Sequence, residues 1–276
     1  MVAPEPIPHP RKVPNVLSIA GSDPSAGAGI QADLKTFAAL GCYGLCAITA
    51  LTVQNTQGVL DVAALPAAFV AAQIDALFAD SMIEAVKIGM LGSAEVAETV
   101  ADRLARYQPP FVVLDPVLAS SGGKALGPAS LAKTILDRLA PHVSLITPNL
   151  MEAAELAEME LPRTVDDMKS VAKALHAQGF AAVLVKGGHH DGDSADDILF
   201  DGEDYRTFSL PRLATRNTHG TGCTLSSAIA AYLARGEALP ASIAAAKEYL
   251  QGALAAADAL SVGEGPGPLD HFHRNR

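Results

Sequence analysis

Short apolar runs alternate along the chain with longer segments whose apolar residues recur at helical spacing. A short apolar run is typical of a strand buried in a sheet, and a helix-length segment between two such runs is typical of a crossover connection. The alternation therefore predicts a parallel sheet with helices on both of its faces. Six runs are expected to be strands: residues 16–19, 45–53, 85–88, 111–114, 143–146 and 182–185.

The segments between these runs carry apolar stripes three or four positions apart, as after Pro66, a favourable first helical residue. Near the end of the chain, residues 198–200 and 205–210 flank Asp-Gly-Glu-Asp, which is typical of a hairpin at a sheet edge. Two long helices, at 223–235 and 240–260, are expected to follow. We therefore predict an α/β fold: a three-layer αβα sandwich with a mostly parallel central sheet and an antiparallel hairpin at one edge.

Composition limits the number of domains and the possible partners. The 276 residues show no internal repeat or composition shift, which predicts one domain at 14–276 behind a disordered, proline-rich tail at 1–13. A net charge of -10 provides no positive field for nucleic acid. No run of about 18 apolar residues occurs, so no membrane partner is expected. Three cysteines, an odd number in a long chain, suit a reducing, cytoplasmic location.

The most informative motif is Asn-Thr-His-Gly-Thr-Gly-Cys at 217–223, directly before an apolar helical segment. Gly220 and Gly222 permit backbone conformations in which successive N–H groups converge, and a helix start adds positive potential there. The motif therefore predicts an anion hole for phosphate. Cys223 lies at the helix start, where its thiol pKa is expected to be lowered. A small buried apolar residue is the alternative interpretation of this cysteine.

A second glycine-rich loop, at residues 21–29, follows the first strand. Its Gly-Ala-Gly-Ile-Gln-Ala segment satisfies the loose dinucleotide fingerprint, but it starts too far from the strand, and the next strand ends in Gln54 and Asn55 rather than an acidic residue. A loop that lets backbone approach another ligand is preferred over a dinucleotide site or a flexible turn. No Walker A motif occurs, because Ala125 follows Gly-Gly-Lys at 122–124, where Ser or Thr is required.

Polar residues follow three of the later strands. Asp115 ends the fourth strand, Asn149 and Glu152 follow the fifth, and Lys186 follows the sixth. Parallel strands end at one edge of a sheet, where the carboxylates would offer oxygen ligands to Mg²⁺ and the lysine a cation to phosphate. Each residue alone is equally compatible with a helix cap or a solvated loop charge. Together with the anion hole, they predict phosphoryl transfer.

Several other polar and sulfur residues receive no role. The segment 189–193 and the acidic pair at 196–197 do not meet the calcium-loop pattern, so a mobile flap is expected there. We expect His271 and His273 at the surface, and Cys42 and Cys46 in the core.

The whole sequence closely resembles the hydroxymethylpyrimidine/phosphomethylpyrimidine kinases of thiamine biosynthesis, within the ribokinase-like superfamily. The resemblance spans roughly residues 15–272. Two positions depart from the family pattern: Ala26 stands where many relatives have Gly, and Val53 where Ala is common. We expect neither to abolish binding. The segments that carry the resemblance are AGSDP at 20–24, GIQADLK at 29–35, TALTVQNT at 49–56, KIGML at 87–91, TPN at 147–149 and NTHGTGC at 217–223.

The resemblance implies a ribokinase-like fold and a set of site residues. Gln54 is implied to bind the aminopyrimidine. A carboxamide can hydrogen-bond to the donor and to the acceptor of the aminopyrimidine at the same time. The other implied substrate residues are Gly21, Ala28, Asp33, Met90 and Val117. The implied ATP residues are Asp115, Asn149, Lys186 and Thr218, with Glu152 and Asp115 for Mg²⁺. The implied catalytic residues are Gly220, Thr221, Gly222 and Cys223, the last where sugar kinases of the superfamily carry an aspartate.

The implied activity is ATP-dependent phosphorylation of 4-amino-5-hydroxymethyl-2-methylpyrimidine to its monophosphate and then to its diphosphate, by a homodimer. Two alternatives stay open. Pyridoxal kinase of the same superfamily is disfavoured by Gln54 and by the second phosphorylation. A non-catalytic pyrimidine-binding sensor is disfavoured because Lys186, Glu152 and Cys223 are all retained. Whether Cys223 acts as a base or only positions the phosphoryl group also stays open.

Overall fold

A computed structural model describes residues 12–119, 126–188 and 194–276. Most of the expected tail, at 1–11, lies outside the described residues, as do the Gly-Gly-Lys segment at 122–124 and residues 189–193 of the expected flap. The acidic pair at 196–197 was expected in the same flap, but it lies in a strand at Ser194–Phe200, where Asp197 is 4% exposed and accepts from Nζ of Lys247 at 2.6 Å. The strands are β1 (Asn15–Ser22), β2 (Tyr43–Asn55), β3 (Gly58–Ala64), β4 (Ala85–Ile88), β5 (Val112–Leu114), β6 (Leu145–Ile146), β7 (Val183–Lys186), β8 (Ser194–Phe200) and β9 (Tyr205–Pro211). They form one sheet in the order β3-β2-β1-β4-β5-β6-β7-β8-β9.

Eight α-helices accompany these strands in the described part of the chain. α4 continues as a π-helical turn at Ile135–Leu139. The last helix ends five residues earlier than expected and is followed by a 3-10 turn at Ala257–Ala259. The helices are α1 (Gly29–Ala39), α2 (Ala67–Asp80), α3 (Ala94–Tyr107), α4 (Ser130–Thr134), α5 (Leu150–Ala157), α6 (Val165–Ala177), α7 (Thr221–Ala234) and α8 (Leu239–Ala255).

Two hydrophobic clusters cover the two faces of the sheet and give the molecule its three layers. Helices α2 to α6 pack on one face, against side chains such as Leu17 and Ile88. Helices α1, α7 and α8 pack on the other face, against Val16 and Leu184. Val16 and Leu17 belong to different clusters because successive residues of a strand point to opposite faces of its sheet. The predicted three-layer sandwich is confirmed.

Strand direction decides where a site forms. β1, β2, β4, β5, β6 and β7 pair in parallel, so their carboxyl ends lie along one edge of the sheet. β8 and β9 form the expected antiparallel hairpin at one side. At the other side β3 pairs antiparallel with β2, and this strand is not among those that the sequence predicts. None of the described helices is both long and apolar enough to cross a lipid bilayer.

Candidate active site

The loop after β1 is organised around the carboxylate of Asp23. Its Oδ1 accepts hydrogen bonds from the backbone N–H and the hydroxyl of Ser25, at 2.8 and 2.7 Å. Its Oδ2 accepts from the N–H groups of Gly27 and Ala28, at 3.1 and 2.9 Å, and lies 2.8 Å from Nε2 of His219. Burial alone would raise the pKa of Asp23, but these hydrogen bonds lower it to about 2. The loop is therefore a fixed frame around a permanent negative charge.

Ala26, one of the departures from the family pattern, lies in this loop. Its φ of 61° is in the left-handed region, which costs a non-glycine residue about 1 kcal/mol. Nζ of Lys35 donates a hydrogen bond to the carbonyl oxygen of Ala26 at 2.8 Å, which holds the residue in this conformation. The departure is therefore accommodated by the backbone.

The loop at 217–223 packs against both the first loop and the strand ends. Gly220 has a φ of 85°, and a Cβ there would collide with the carbonyl oxygen of Gly27. A Cβ on Gly222 would lie 3.2 Å from Oδ2 of Asp115 and 3.2 Å from Nζ of Lys186. Because both positions are glycine, the N-terminal end of α7 reaches the carboxyl edge of the sheet.

Asp115 and Lys186 form an ion pair where β5 and β7 end. Nζ of Lys186 lies 2.7 Å from Oδ1 of Asp115, and the side chains are 14% and 3% exposed. Burial alone would lower the pKa of Lys186, but Asp115 and then Glu152 raise it above its usual value. Lys186 is therefore a permanent cation beside the glycine loop.

Asn149 and Glu152 begin α5 with a reciprocal pair of hydrogen bonds. The side-chain oxygen of Asn149 accepts from the N–H of Glu152 at 3.0 Å, and Oε2 of Glu152 accepts from the N–H of Asn149 at 2.8 Å. Both residues therefore cap the helix, as one interpretation of the sequence predicted. Oε1 of Glu152 takes no part in these two hydrogen bonds. The pKa of Glu152 is raised to about 7, and burial is the main cause. The charge of Lys186 acts in the opposite direction, whereas the charge of Asp115 adds to the increase. The two carboxylates are thus close enough to repel each other.

Cys223 lies in the first turn of α7, where the backbone of Gly29 hydrogen-bonds its thiol. Burial raises the pKa of the thiol to about 11, an effect that Lys87 opposes and that Asp33 and Asp115 reinforce. The expected lowering of this pKa is therefore wrong. The helix start does favour a thiolate, but the loss of hydration disfavours it by more.

Asp33 is fully buried beneath these loops. Nζ of Lys87 lies 2.9 Å from each of its carboxylate oxygens, and both side chains are 0% exposed. The hydroxyls of Ser18 and Ser227 donate to the same carboxylate at 2.6 and 2.7 Å. The direct substrate contact implied for Asp33 is therefore not available in this structure, because its oxygens face protein donors.

Lys87 is a site residue to which the sequence assigned no role. Burial alone would lower its pKa, but Asp33, Cys223 and Asp115 raise it, so the ammonium group is permanently charged beneath the thiol. The available signal was a lysine inside the apolar run at 85–88. A charge in a buried strand requires a partner, which makes such a residue worth tracing.

A small apolar cluster lies beside the two loops. It consists of Ala50, Met90 and Leu126, with Val117 partly buried against it. A Cβ on Gly21 would lie 3.2 Å from the sulfur of Met90, so any side chain there would displace the methionine. Three of the implied substrate residues, Gly21, Met90 and Val117, are therefore brought together on one wall.

Gln54 lies next to this wall, at the end of β2. It pairs with Val59 of β3, which packs against the same apolar cluster. Its carboxamide lies between two polar groups: Nε2 is 3.3 Å from Nε2 of His219, and Oε1 is 3.2 Å from Oγ1 of Thr52. The backbone N–H of Ala28, another implied substrate residue, is directed at Asp23 instead.

A cavity of about 770 Å³ opens beside the loop at 217–223. It is lined by residues 214–217 and by the stretch 257–268, which includes Asp258. Thr218 is exposed at this end of the loop, and its carbonyl oxygen accepts the N–H of Thr221 at 3.3 Å. The cavity is large enough for a small-molecule ligand.

The C-terminal histidines differ from expectation. His271 is buried, at 3% exposure, rather than at the surface. Its Nε2 lies 3.1 Å from Oγ1 of Thr224, and burial lowers its pKa to about 4. His273 is partly buried as well, because the tail folds back over α7 and α8. Cys42 is buried as expected, whereas Cys46 is only partly buried.

Fold and site together define a class of protein. Two glycine-rich loops meet at the carboxyl edge of a parallel sheet, and a permanent cation lies beside a helix start, which suits the oxygens of a phosphate. The adjoining apolar wall suits one small ring. This is an α/β kinase that phosphorylates a small molecule.

Known proteins similar to this chain narrow the class to a family. The family model described as phosphomethylpyrimidine kinase matches residues 23–270. The hydroxymethylpyrimidine/phosphomethylpyrimidine kinase of Escherichia coli (strain K12) is 53% identical over 259 residues, which cover 94% of this chain and 97% of that protein. The chain belongs to the phosphomethylpyrimidine kinase family, which confirms the resemblance seen in the sequence.

Solved structures agree on the fold and differ in substrate. A pyridoxal kinase from Staphylococcus aureus, in complex with ADP, superposes with a TM-score of 0.89 at 32% identity, covering 96% of each chain. A phosphomethylpyrimidine kinase from Clostridium difficile 630 superposes with a TM-score of 0.77 at 41% identity, covering 87% of this chain and 98% of that one. Superposition alone therefore does not decide the substrate, because both kinds of kinase share the fold.

Proposed function

We propose that this chain transfers the γ-phosphoryl group of ATP to the hydroxymethyl oxygen of 4-amino-5-hydroxymethyl-2-methylpyrimidine, and then a second phosphoryl group to the resulting monophosphate, in thiamine biosynthesis. The observation that carries the proposal is the approach of Gly222 to the Asp115–Lys186 pair. This approach places the start of α7 beside the permanent cation Lys186. Both lie beside the apolar wall that contains Met90 and adjoins Gln54. The names of the curated relatives support this substrate.

The residues around the phosphate would act mainly by charge and position. Backbone N–H groups of Gly220 and Gly222 would bind oxygens of the transferred phosphoryl group at the positive end of α7. The N–H of Thr221 would join them by exchanging its 3.3 Å bond to the carbonyl oxygen of Thr218. Lys186 would neutralise charge on the same phosphoryl group. In most analyses phosphoryl transfer has a loose transition state, so positioning outweighs proton removal. A protonated Cys223 suits such a reaction.

Asp115 and Glu152 fit a magnesium ion that is shared with ATP. Among the described residues no group of three or more His, Cys, Asp or Glu side chains forms a complete cage, and kinases usually hold Mg²⁺ by one or two carboxylates plus substrate phosphates. The repulsion that helps to keep the pKa of Glu152 at about 7 would be relieved by a cation between the two groups. When bound, the ion would supply positive charge that offsets the charge of the phosphate oxygens.

A neutral thiol at position 223 supports the use of one site for both acceptors. A phosphate monoester has its second pKa near 6, so the monophosphate is already largely a dianion at neutral pH. A carboxylate near the acceptor would repel that dianion, whereas a thiol whose pKa is raised to about 11 does not. Cys223 is therefore compatible with an alcohol in the first transfer and with a phosphate in the second.

The remaining parts of the proposal concern ATP and the assembly. Its nucleoside is proposed to occupy the cavity of about 770 Å³ beside residues 214–217, with Asn149 and Thr218 nearer the phosphates. The homodimer and the cytoplasmic location stay proposals, and the odd number of cysteines in the sequence supports the second of them.

Pyridoxal kinase is the second candidate, because the pyridoxal kinase from Staphylococcus aureus superposes with a TM-score of 0.89. Side-by-side rates of ATP consumption with pyridoxal and with the hydroxymethylpyrimidine separate the two candidates. We expect kcat/KM to favour the pyrimidine by at least about tenfold, since a carboxamide that pairs with the amino-bearing edge leaves unmatched polar groups against pyridoxal. A preference for pyridoxal would contradict the proposed function.

The contact of Gly222 with the ion pair has its own test. Gly222→Ala adds a methyl group 3.2 Å from Asp115 and Lys186, and we expect kcat to fall about tenfold or more because the helix start is pushed away. Gly188→Ala is the matched control, since a Cβ there meets nothing within 4 Å. Equal rates for the two variants would remove the observation on which the proposal rests.

A further inference from the structure

His219 connects three parts of the site through one nitrogen atom. Its Nε2 lies 2.8 Å from Oδ2 of Asp23, in the first loop, and 3.3 Å from the side-chain nitrogen of Gln54, at the end of β2. The histidine itself belongs to the glycine loop at 217–223. Its side chain is 12% exposed. A residue in this position contacts the frame of one loop and the carboxamide beside the ring pocket.

The position of the His219 ring is fixed by contacts that do not involve Nε2. Its backbone N–H donates to the carbonyl oxygen of Gly267 at 3.2 Å, which ties the loop to the C-terminal segment. The ring packs against Gly27, where a Cβ would collide with it. The next residue, Gly220, is held against the carbonyl oxygen of Gly27. Nε2 is therefore presented to its two partners from a rigid base.

The hydrogen-bonding capacity of the neighbours determines where the protons lie. An ionised carboxylate only accepts, so His219 must carry its proton on Nε2 and donate it to Asp23. The hydroxyl of Thr52 lies 2.9 Å from the carbonyl oxygen of Ser22 and 3.2 Å from Oε1 of Gln54. When its one proton goes to Ser22, the nearer acceptor, the Thr52 oxygen can accept a hydrogen bond from Gln54. The carboxamide therefore faces a donor on one side and an acceptor on the other.

Only one orientation of the Gln54 carboxamide satisfies both neighbours. Its NH₂ group against the N–H of His219 would set donor against donor, and its oxygen against the Thr52 oxygen would set acceptor against acceptor. A half turn of the amide exchanges the two ends: the NH₂ group can then donate to the Thr52 oxygen, and the amide oxygen becomes the second, more distant acceptor of the one Nε2–H of His219, which Asp23 also accepts. The oxygen of Gln54 then faces His219, and the NH₂ group faces Thr52. One N–H and one lone pair remain for a ligand, in a fixed order.

We infer that His219 is a positioning residue, which fixes the carboxamide of Gln54 in one orientation and thereby sets the preference of the site for a ring edge that bears an amino group beside a ring nitrogen. The inference rests on the proposed function, because it takes Gln54 as the group that contacts the pyrimidine. His219 acts through Gln54 and does not contact the transferred phosphoryl group. Its loss should therefore alter which ring is bound more than how fast phosphate is transferred.

A cycle of two variants and two substrates tests the inference. His219→Phe keeps an aromatic ring against Gly27 and removes the donor, whereas His219→Gln returns an N–H near the position of Nε2. Each protein is assayed with 4-amino-5-hydroxymethyl-2-methylpyrimidine and with the analogue that lacks the amino group. For His219→Phe we expect the ratio of kcat/KM for the amino compound to kcat/KM for the analogue to fall about tenfold, which is the size of effect expected from the loss of one hydrogen bond. The change should appear in KM rather than in kcat. His219→Gln should recover most of the lost preference, and KM for ATP should stay within about twofold.

Other results separate the possible failures. An equal loss on both pyrimidines, or no recovery in His219→Gln, would show a general structural role and overturn the inference. If the unmodified protein phosphorylates neither pyrimidine, the proposed function fails first and the inference falls with it. Thr52→Val is an arm that does not depend on the folding of the His219 variants. It removes the other partner of the carboxamide, so an unchanged preference in this variant would also overturn the inference.

Discussion

At the residue scale, the protonation of Cys223 determines how an acceptor is activated. Burial raises its thiol pKa to about 11, so at neutral pH the thiol stays almost entirely protonated. A group that is almost always protonated is a poor resident base, because an effective base titrates near the working pH. We therefore expect Cys223 to act by filling the start of α7 and by remaining neutral.

Removal of the Cys223 thiol tests this expectation. If the residue acts by position, Cys223→Ala should slow the first and the second transfer by similar factors, within about threefold of each other, since neither depends on thiolate. Single-turnover rates with the hydroxymethylpyrimidine and with its monophosphate provide the comparison. Cys223→Ser, which keeps a small neutral donor, is the control and should be the milder change. A loss confined to the first transfer would show that the thiol takes the proton of the alcohol.

The residues that a sequence can identify are those whose role follows from local chemistry. The glycines of the loop at 217–223 were identified because a helix start with two glycines favours anions wherever it occurs. The raised pKa of Cys223 could not be predicted, since it depends on burial and on charges from Asp33 and Asp115, far away in the chain. The pairing of Asp33 with Lys87 was hidden for the same reason.

At the element scale, the start of α5 combines a structural and a chemical role in Glu152. Its carboxylate caps the helix, and burial raises its pKa from 4.5 to about 7. The folded protein therefore holds this proton more tightly than the unfolded chain does. The contribution of Glu152 to stability is greatest at low pH and falls as the pH rises from about 4.5 to about 7.

Glu152→Gln should remove this pH dependence while it keeps an oxygen for the cap. Relative to the variant, we expect the unmodified protein to lose up to about 3 kcal/mol of unfolding free energy between pH 5 and pH 8. Urea denaturation at the two pH values measures the difference. Asp167→Asn, the same change in the exposed capping box of α6, is the matched control. A free-energy difference that does not vary with pH would mean that Glu152 is ionised throughout.

Most elements could be predicted from the sequence, because each long helix carries an apolar stripe at helical spacing and each buried strand is a short apolar run. β3 was missed for a physical reason. All seven of its residues are exposed or half-buried, and the turn before it lacks the Asn-Gly or Asp-Gly pair that marks a tight hairpin. The early end of α8 was missed for a different reason. The alanines after Ala255 favour a helix as strongly as those within α8, so they do not mark where the helix ends.

At the scale of the whole molecule, one buried carboxylate joins the sheet to a helical layer. Asp33 of α1 binds Lys87 of β4, Ser18 of β1 and Ser227 of α7. These contacts lie directly beneath the two glycine-rich loops. The contacts of Asp33 therefore hold α1 and α7, and with them both loops, in fixed positions on the sheet.

Breaking this buried pair should destabilise the molecule strongly. Asp33→Asn leaves the ammonium group of Lys87 without its counter-charge, and we expect a loss of about 3 to 5 kcal/mol of unfolding free energy. The double variant with Lys87→Met removes the stranded charge, so it should recover at least half of the loss. Denaturant titration of the single and double variants measures both values. A double variant no more stable than Asp33→Asn would show that the serine contacts, rather than the charge pair, hold the layers together.

The most direct test of the central claim is the time course of products when the hydroxymethylpyrimidine is mixed with excess ATP and followed by mass analysis. One site that serves both acceptors predicts that the monophosphate appears first and then declines as the diphosphate accumulates. Two molecules of ADP should be formed for each pyrimidine consumed. A reaction that stops at the monophosphate, or that consumes no ATP with this substrate, would contradict the claim.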